Sequence, residues 1–439
     1  MTWTTFHLEV TTPLFNGGPD LTGGAGASGG GDGSGGAADV AAGIRVPSIR
    51  GAMRFWFRAL AGMALGPDLA KLAEAEARVF GDSEKSSAGH DGRWSSPVAL
   101  RLPSPPAAVD ESRPDWLGDD PDHSRWIVYL LGQGLGDVRG VARHSGRRPV
   151  TKPHVRHGTR FDLQMRFAGS ERASEEVAAL AVAALWLTCA YGGVGARTRR
   201  GFGGLRITGA AGDLPEPWNH ESVRTPDLGH YEQLASLFPN EPVGRSLLGL
   251  RALGHDVSSG SAWTDRPTFP VLHRTYTRAA ASGGGSFGNA ESVLAFAGEE
   301  LRYFRARQDY PGAGYHPKIK TPEWETAIRG AGNRFPLGAL GLPVVYKGRQ
   351  EVHADRGNEK LRRASPLWLR PVGAGRHWRL LSFAFQGRFL PTDADPDLGV
   401  HLWRDSQRDK ALTVDDSDVV DRTDDWIKKL RDGGTFVPD

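Results

Sequence analysis

Residues 191–207 have the sequence YGGVGARTRRGFGGLRI, and they join two clearly patterned segments of the chain. An apolar helical pattern at 174–193 precedes the stretch, and a strand pattern, GGLRITG at 203–209, ends it. Arg197, Arg199 and Arg200 place three guanidiniums beside glycines whose backbone N–H groups are accessible. Accessible amides next to cationic side chains are typical of anion binding. The sequence therefore predicts a helix, an anion-binding loop and a strand in that order.

The stretch matches none of the common nucleotide-binding fingerprints. It lacks the P-loop lysine, and it follows a helix, whereas the dinucleotide fingerprint follows a strand. RGFGGLRI matches the start of an RNA-recognition sheet motif but departs from it at Gly204 and Ile207, where aromatic residues are expected. Phe202 is a candidate for base stacking, and packing beneath the loop is its alternative role. A glycine-rich turn with surface arginines remains the alternative for the loop as a whole.

The segment 44–60, IRVPSIRGAMRFWFRAL, predicts an amphipathic helix that starts near Ser48. Its apolar stripe comprises Ile49, Met53, Trp56, Phe57 and Leu60. Three arginines spaced four residues apart, Arg50, Arg54 and Arg58, form a neighbouring stripe. No acid lies between Arg45 and Leu65, so the local sequence supplies no partner. A phosphate backbone would neutralise the stripe, and acids contributed by the tertiary fold are the alternative.

Charge is segregated along the chain, although the formal net charge is only +3. Residues 139–161 contain six Arg, one Lys and three His with no acid. The residues of this segment expected to widen a basic surface are Arg143, Arg147, Arg148, Lys152 and Arg156. The C-terminal segment 412–425 is acidic instead, and a docking surface for a basic partner is one interpretation of it. Such segregation indicates a polyanion-binding face.

Several function classes are disfavoured by the sequence. A single cysteine, Cys189, excludes an intrachain disulfide framework and a cysteine zinc cluster. His144, His154 and His157 match no common metal-ligand spacing, and no Ser or Cys nucleophile motif is present. The sequence shows neither a secretory signal nor a membrane span. We therefore expect a cytoplasmic protein with no catalytic residue, no metal and no other cofactor.

The order of patterns indicates an α+β protein with two units. A Gly/Ala/Ser-rich segment, 17–43, is expected to be a mobile insert, and a Pro-rich stretch near 215–227 marks a boundary. Residues 69–81 predict a helix, whereas 125–132 and 159–167 predict strands. Each half mixes about four strands with two helices, which does not fit a doubly wound sheet.

Motifs from both halves together resemble one known family. They are EVTTPLFNGG (9–18), RVPSIRGAMRFWFRAL (45–60), GGVGARTRRGFGGL (192–205), FPLGALGLPVVYK (335–347) and RRASPLWLRPV (362–372). In combination they resemble the RAMP superfamily of CRISPR-associated RNA-binding proteins. More narrowly, they resemble the first-numbered subunit family of the type III-B Cmr effector complex.

The resemblance implies two ferredoxin-like (RRM-like) domains in tandem, which we place at 1–214 and 228–439. It also implies a non-catalytic subunit of an RNA-guided antiviral complex, with crRNA, target RNA and other Cmr subunits as partners. In that family the subunit sits toward the 3′ end of the guide and helps to engage the target. The residues expected to contact RNA are Arg45, Arg50, Arg54, Arg58, Arg143, Arg147, Arg148, Lys152, Arg156, Arg197, Arg199, Arg200 and Phe202.

Two alternatives remain open from the sequence. One is a metal-independent endoribonuclease acting on CRISPR RNA, because some RAMP proteins cleave RNA with a histidine near the first helix. The nearest histidines here are His7 and His90, and neither lies in the predicted helix. The other alternative is a structural end-piece whose arginines pair with acidic neighbours.

Overall fold

A computed structural model describes most of the chain. The described residues are 2–16, 43–82, 96–167, 172–225, 241–257, 263–283, 285–306, 322–346 and 350–433. The Gly-rich segment predicted to be a mobile insert lies outside them except for Gly43.

The first half forms one four-stranded antiparallel sheet with helices on one face. Its elements are β1 (Thr4–Val10), α1 (Val46–Leu65), α2 (Leu69–Phe80), β2 (Val98–Arg101), α3 (Pro121–Leu131), β3 (Arg160–Phe167), α4 (Arg172–Ala190) and β4 (Leu205–Ala211). The strand order is β2-β3-β1-β4. With α1 and α4 as the two crossovers, this is the βαββαβ order of a ferredoxin-like domain.

The first helix forms as its apolar periodicity predicts. Ile49, Met53, Trp56, Phe57 and Leu60 are all buried. The helix begins at Val46, with Pro47 in its first turn, where the missing N–H costs nothing. Ser48 does not cap it; its hydroxyl donates to the Asn16 side chain at 2.8 Å.

The strand predicted at 125–132 is wrong, because these residues form most of helix α3. The Asp120 side chain accepts from the Asp122 amide at 2.9 Å, and Pro121 follows this cap at the first helical position. Trp126, Ile127, Leu130 and Leu131 then bury one face. The periodicity of a short apolar run fits both a strand and a buried helix. Here the Asp120-Pro121 start signal favours the helix.

The second half contains two sheets. Its elements are α5 (Glu241–Ser246), α6 (Gly249–Ala252), β5 (Thr277–Ala281), α7 (Ala290–Ala306), α8 (Pro322–Arg329), β6 (Val344–Tyr346), β7 (Gln350–Arg356), β8 (Glu359–Leu361), β9 (Leu367–Ala374), β10 (His377–Phe385), β11 (Leu398–Arg404), β12 (Gln407–Leu412) and α9 (Asp416–Arg431). One sheet has the order β5-β10-β9, and the other has the order β12-β11-β7-β6 with β8 on β7.

The three-stranded sheet of the second half follows the ferredoxin-like order. Strand β5, helix α7, the hairpin β9–β10 and helix α9 give β-α-β-β-α with the first strand beside the third. The five-stranded sheet is built from two insertions, one before β9 and one after β10. The α+β, ferredoxin-like prediction is thereby confirmed.

The two halves share their cores. One apolar cluster joins Trp56 and Trp186 to Trp368 and Phe383, and the other joins Phe202 to Leu369. Helix α3 also packs along α7 of the second half. The proposed domain limits therefore remain a prediction, since the described core is continuous across them. Within the described residues, no helix is both long and apolar enough to cross a lipid bilayer.

Candidate nucleic-acid interface

The glycine-rich loop between α4 and β4 is held in one tight conformation. Gly195 and Gly203 have φ angles of 92° and 68°, a region that favours glycine. A Cβ atom on Gly203 would lie 2.1 Å from the Val194 carbonyl oxygen, so a larger residue does not fit. The glycines thus serve close backbone packing.

The backbone amides of this loop are used inside the fold. The Ala196 amide donates to the Phe15 carbonyl at 2.7 Å, and the Gly203 amide donates to the Pro13 carbonyl at 2.9 Å. The Arg200 amide donates within the loop at 2.8 Å. These amides are therefore not offered to an anion as the sequence predicted, and the capacity to bind one lies in the side chains.

Two of the loop arginines close the end of helix α3. Arg197 donates to the carbonyls of Leu131 and Gln133 at 2.6 and 2.9 Å, and Arg200 donates to the Leu130 carbonyl at 3.2 Å. Cations at a helix C-terminus satisfy its free carbonyls and complement its dipole. Burial lowers the pKa of both guanidiniums. Their first role in this fold is thus to anchor the loop.

Arg199 points the other way, toward the second half of the chain. Its guanidinium donates to the Ser365 carbonyl at 3.0 Å and lies 5.7 and 5.2 Å from the ring centres of Phe55 and Trp368. Burial, with a smaller effect from the charge of Arg363, lowers the pKa of Arg199 to about 10. It therefore remains charged at neutral pH between two aromatic rings.

Arg199 forms part of the wall of a cleft of about 310 Å³ where the two halves meet, which we call the junction cleft. Its cationic lining residues are Arg199, Arg362, Arg363 and Arg388. Its aromatic lining residues are Phe55, Phe269, Trp368, Phe385 and Phe389. No Asp or Glu is among the described residues that line it. A cleft with cationic and aromatic walls and no carboxylate suits a phosphate and an adjacent base.

The cleft arginines are fixed in place by their neighbours. Arg363 donates to the carbonyls of Phe389 and Ala364 at 2.7 and 2.6 Å. Arg388 pairs with the exposed carboxylate of Asp393 at 2.5 Å, and this contact holds the pKa of Asp393 below its usual value. The carbonyl contacts orient Arg363 without neutralising it, whereas Asp393 offsets the charge of Arg388. The excess positive charge of the cleft therefore comes from Arg199, Arg362 and Arg363.

Comparison with known proteins identifies the family. The model of the RAMP superfamily matches residues 7–206. The Cmr subunit Cmr1-1 of Pyrococcus furiosus is 33% identical over 353 residues, which cover 79% of this chain and 82% of that protein. The chain belongs to the RAMP superfamily, in the family of Cmr1 subunits.

One further curated relative and one solved structure are also similar to this chain. Cmr1-2 of Pyrococcus furiosus is 28% identical over 206 residues, which cover 46% of this RAMP protein and 93% of that one. The crystal structure of apo Cmr1 from Pyrococcus furiosus matches with a TM-score of 0.50 at 23% identity, over 88% of each chain. That match shows the fold alone.

The arginine stripe of α1 finds its partners within this RAMP protein. Glu76 on α2 accepts from Arg54 at 3.1 Å and from Arg58 at 2.8 Å. Arg50 donates to the Ser96 hydroxyl and the Val98 carbonyl, both at 3.0 Å, and burial lowers its pKa. The geometry thus favours the alternative in which the tertiary fold supplies the acid. Arg45, at the exposed N-terminus of the helix, is not part of the stripe.

The basic segment 139–161 is largely neutralised by acids that precede it in the chain. The pairs are Arg143 with Asp119, Arg147 with Asp137, Arg148 with Asp110 and Arg156 with Glu111. The Arg148 contact raises the pKa of that arginine and lowers the pKa of Asp110. Lys152 is half-buried. These residues form an ion-pair surface, which is a weaker polyanion site than the sequence predicted.

Phe202 lies in the core with no exposed surface. Its ring centre is 5.8 Å from that of Phe15 and 6.5 Å from that of Trp116. A ring buried in this way offers no face to a base, so the geometry favours packing beneath the loop.

The residues expected from the sequence to contact RNA do not include Arg362, Arg363 and Arg388. Two of them are adjacent in the motif RRASP, which carries part of the family resemblance, so their sequence does hold a signal. Their convergence with Arg199, more than 160 residues earlier, is visible only in the tertiary structure.

Proposed function

We propose that this chain is a non-catalytic, RNA-contacting subunit of a type III-B CRISPR complex, and that its junction cleft holds RNA phosphates. Its partners are crRNA, target RNA and the other Cmr subunits, in the cytoplasm. By resemblance to its family, it acts toward the 3′ end of the guide.

The observation that carries the proposal is the charge of the junction cleft. Arg199, Arg362, Arg363 and Arg388 line it without a carboxylate among the described lining residues. Arginine binds phosphate through a planar fork of donors, and desolvation beside aromatic rings strengthens each contact. RNA is a ligand whose backbone supplies the negative charge and whose bases can contact the partly exposed Phe55 ring.

The proposed contact is independent of sequence. Phosphate contacts position a nucleic acid, whereas base pairing between guide and target supplies the sequence information in RNA-guided complexes. Binding should therefore weaken steeply with salt and differ little between RNAs of different sequence.

The test is RNA affinity of purified variants across a salt series, measured by fluorescence anisotropy. Arg362→Glu with Arg388→Glu should lower affinity at least about tenfold and reduce the salt slope by about 1.4, because about two phosphate contacts to a single strand are lost. Arg329→Glu with Arg376→Glu, at two exposed positions outside the cleft, is the matched double charge reversal and should leave the affinity within about twofold. An unchanged affinity and slope in the cleft variant would overturn the proposal.

The endoribonuclease alternative rests on a different observation. His7 and Asp162 form an exposed pair at 2.8 Å on the sheet of the first half. By resemblance to RAMP proteins that cleave RNA, the alternative is a metal-independent reaction. Incubating the chain with guide-precursor RNA, with and without Mg²⁺, separates the two functions. Specific cleavage lost in His7→Ala would replace our proposal.

A further inference from the structure

The sheet of the first half has one covered face and one open face. Phe6, Leu8, Leu163 and Met165 are buried beneath α1 and α4. Residues that alternate with them on the central strands β1 and β3, such as His7 and Asp162, are about half exposed. Strands expose alternate residues on opposite faces, so the polar residues belong to a solvent-facing surface.

The second half of the chain covers only one end of this open face. Arg206 on β4 donates to the Gly373 carbonyl at 3.3 Å and pairs with Glu9 at 2.7 Å. At the opposite end, Arg101 on β2 and Arg166 on β3 are exposed. The free end of the sheet is therefore the part available to a partner.

An aromatic ring organises two guanidiniums at the free end. Those of Arg101 and Arg166 lie 4.1 and 4.9 Å from the ring centre of Trp3. Arg101 also donates to the Gln164 side chain at 2.7 Å. Neither arginine forms an ion pair with a carboxylate in the described part of the chain. Two like charges held at one ring repel each other, and an anion placed between them relieves that repulsion.

A groove of about 570 Å³ lies on the same sheet. Its polar lining residues are His7, Ser104, Arg160, Asp162 and Thr208. The Arg160 side chain is 79% exposed, so its guanidinium is accessible although it lies 3.4 Å from Glu9. The groove thus offers both hydrogen-bond donors and hydrogen-bond acceptors on the sheet that carries Arg101 and Arg166.

We propose that this open face, from Trp3 to Arg160, is a second contact surface for single-stranded RNA, separate from the junction cleft. Its guanidiniums match a phosphate backbone, and β1 presents the exposed imidazole ring of His7. Sheet faces of this architecture bind unpaired nucleotides by stacking and by contacts to their polar edges. The inference rests on the proposed function only in that the ligand is RNA, because the two surfaces share no residue.

The experiment compares a short oligouridine of about 8 nucleotides with a long one of about 30, on the purified full chain. A longer strand also offers more binding registers, so the gain of the long RNA over the short one is compared between variants. If both surfaces bind one strand, this gain should be at least about tenfold larger in the wild type than in Arg101→Glu with Arg166→Glu, because the second contact is intramolecular. Short-RNA binding by that variant should stay within about twofold of the wild type. The cleft variant, Arg362→Glu with Arg388→Glu, should weaken both RNAs.

The outcomes separate the two proposals. If the sheet-face variant keeps the full length-dependent gain, the second surface is wrong while the junction cleft stands. If only the cleft variant behaves like the wild type, the junction cleft is wrong while the sheet face stands. If circular dichroism shows that the double variant is unfolded, two experiments replace it. One uses the single variant Arg101→Gln, and the other is photocrosslinking of thiouridine RNA to the wild type. Crosslinks to the peptide that contains Trp3 support the proposal, and their absence alongside crosslinks elsewhere contradicts it.

Discussion

Arg370 on β9 donates to the Gly192 carbonyl at the base of the glycine-rich loop, at 2.7 Å. The same guanidinium reaches the carbonyls of Cys189 and Leu205 at 2.5 and 2.7 Å. Only 4% of this arginine is exposed. One side chain of the second half therefore fixes the end of α4, the loop and the start of β4, and with them the position of Arg199 at the junction cleft.

Replacing Arg370 by Met should destabilise the chain by about 3 kcal/mol or more, because buried carbonyls lose their donors. Urea denaturation of the variant and the wild type measures this loss. Arg376→Met, in the exposed β9–β10 turn, is the control and should change stability by less than about 0.5 kcal/mol. Equal midpoints for Arg370→Met and the wild type would show that the contact does not hold the halves together.

Glu76 is the acid that balances two arginines of the first helix. Its side chain is 10% exposed, and the guanidiniums of Arg54 and Arg58 share it. Glu76→Gln should lower stability by about 1 kcal/mol, a value reduced by the partial exposure of both arginines. RNA affinity should stay within about twofold of the wild type in this variant. Tighter RNA binding by a folded Glu76→Gln protein would contradict this assignment, because freeing the two guanidiniums strengthens binding only if the stripe contacts RNA.

The His157 pair links the two halves in a pH-dependent way. The Glu291 carboxylate, 3.0 Å from Nδ1, raises the pKa of His157 above its ordinary value. A raised folded-state pKa stabilises the fold fully below the unfolded pKa of about 6.5, and the contribution is lost as pH rises through the folded value.

The difference in the free energy of unfolding between the wild type and His157→Asn should therefore be larger near pH 6 than near pH 9, by about 1 kcal/mol or less since the imidazole is half exposed. Thermal unfolding at several pH values measures it. A difference that grows with pH would contradict the assigned pair.

Cys189 should be chemically inert in the folded chain. It has no exposed surface, and burial raises the pKa of its thiol to about 12. A thiol reagent should therefore react with the native protein at least about 100-fold more slowly than with the urea-unfolded chain. Rapid labelling of the native protein would show that the C-terminal end of α4 opens readily.

Long periodic segments could be predicted from the sequence, and tertiary pairings could not. Helix α1, helix α2 and the 160–167 strand follow from periodicity and start signals. Helix α3 resembles a strand in the sequence because its apolar run is short and contains the β-branched residues Ile127 and Val128. In that case the Asp120-Pro121 start signal should have outweighed the run itself.

In the candidate site, too, the local features could be predicted from the sequence and the tertiary pairings could not. The glycine-rich loop and its arginines could be found locally, but Glu76 is 18 residues from Arg58 and carries no local mark as its partner. The acids that neutralise the basic segment likewise precede it in a Pro- and Asp-rich stretch. Charge balance is thus a property of the folded surface. A run of basic residues in the sequence therefore predicts more unpaired positive charge than the folded surface carries.

An RNA–protein crosslinking map of the assembled complex tests the central claim most directly. We predict crosslinks in the peptides that line the junction cleft, around Arg199, Arg362–Arg363 and Arg388, with loss of those crosslinks in the cleft variant. A map with RNA crosslinks on this subunit confined to the paired arginines at 143–156, or with no RNA crosslink on it at all, would show that the junction cleft does not bind RNA.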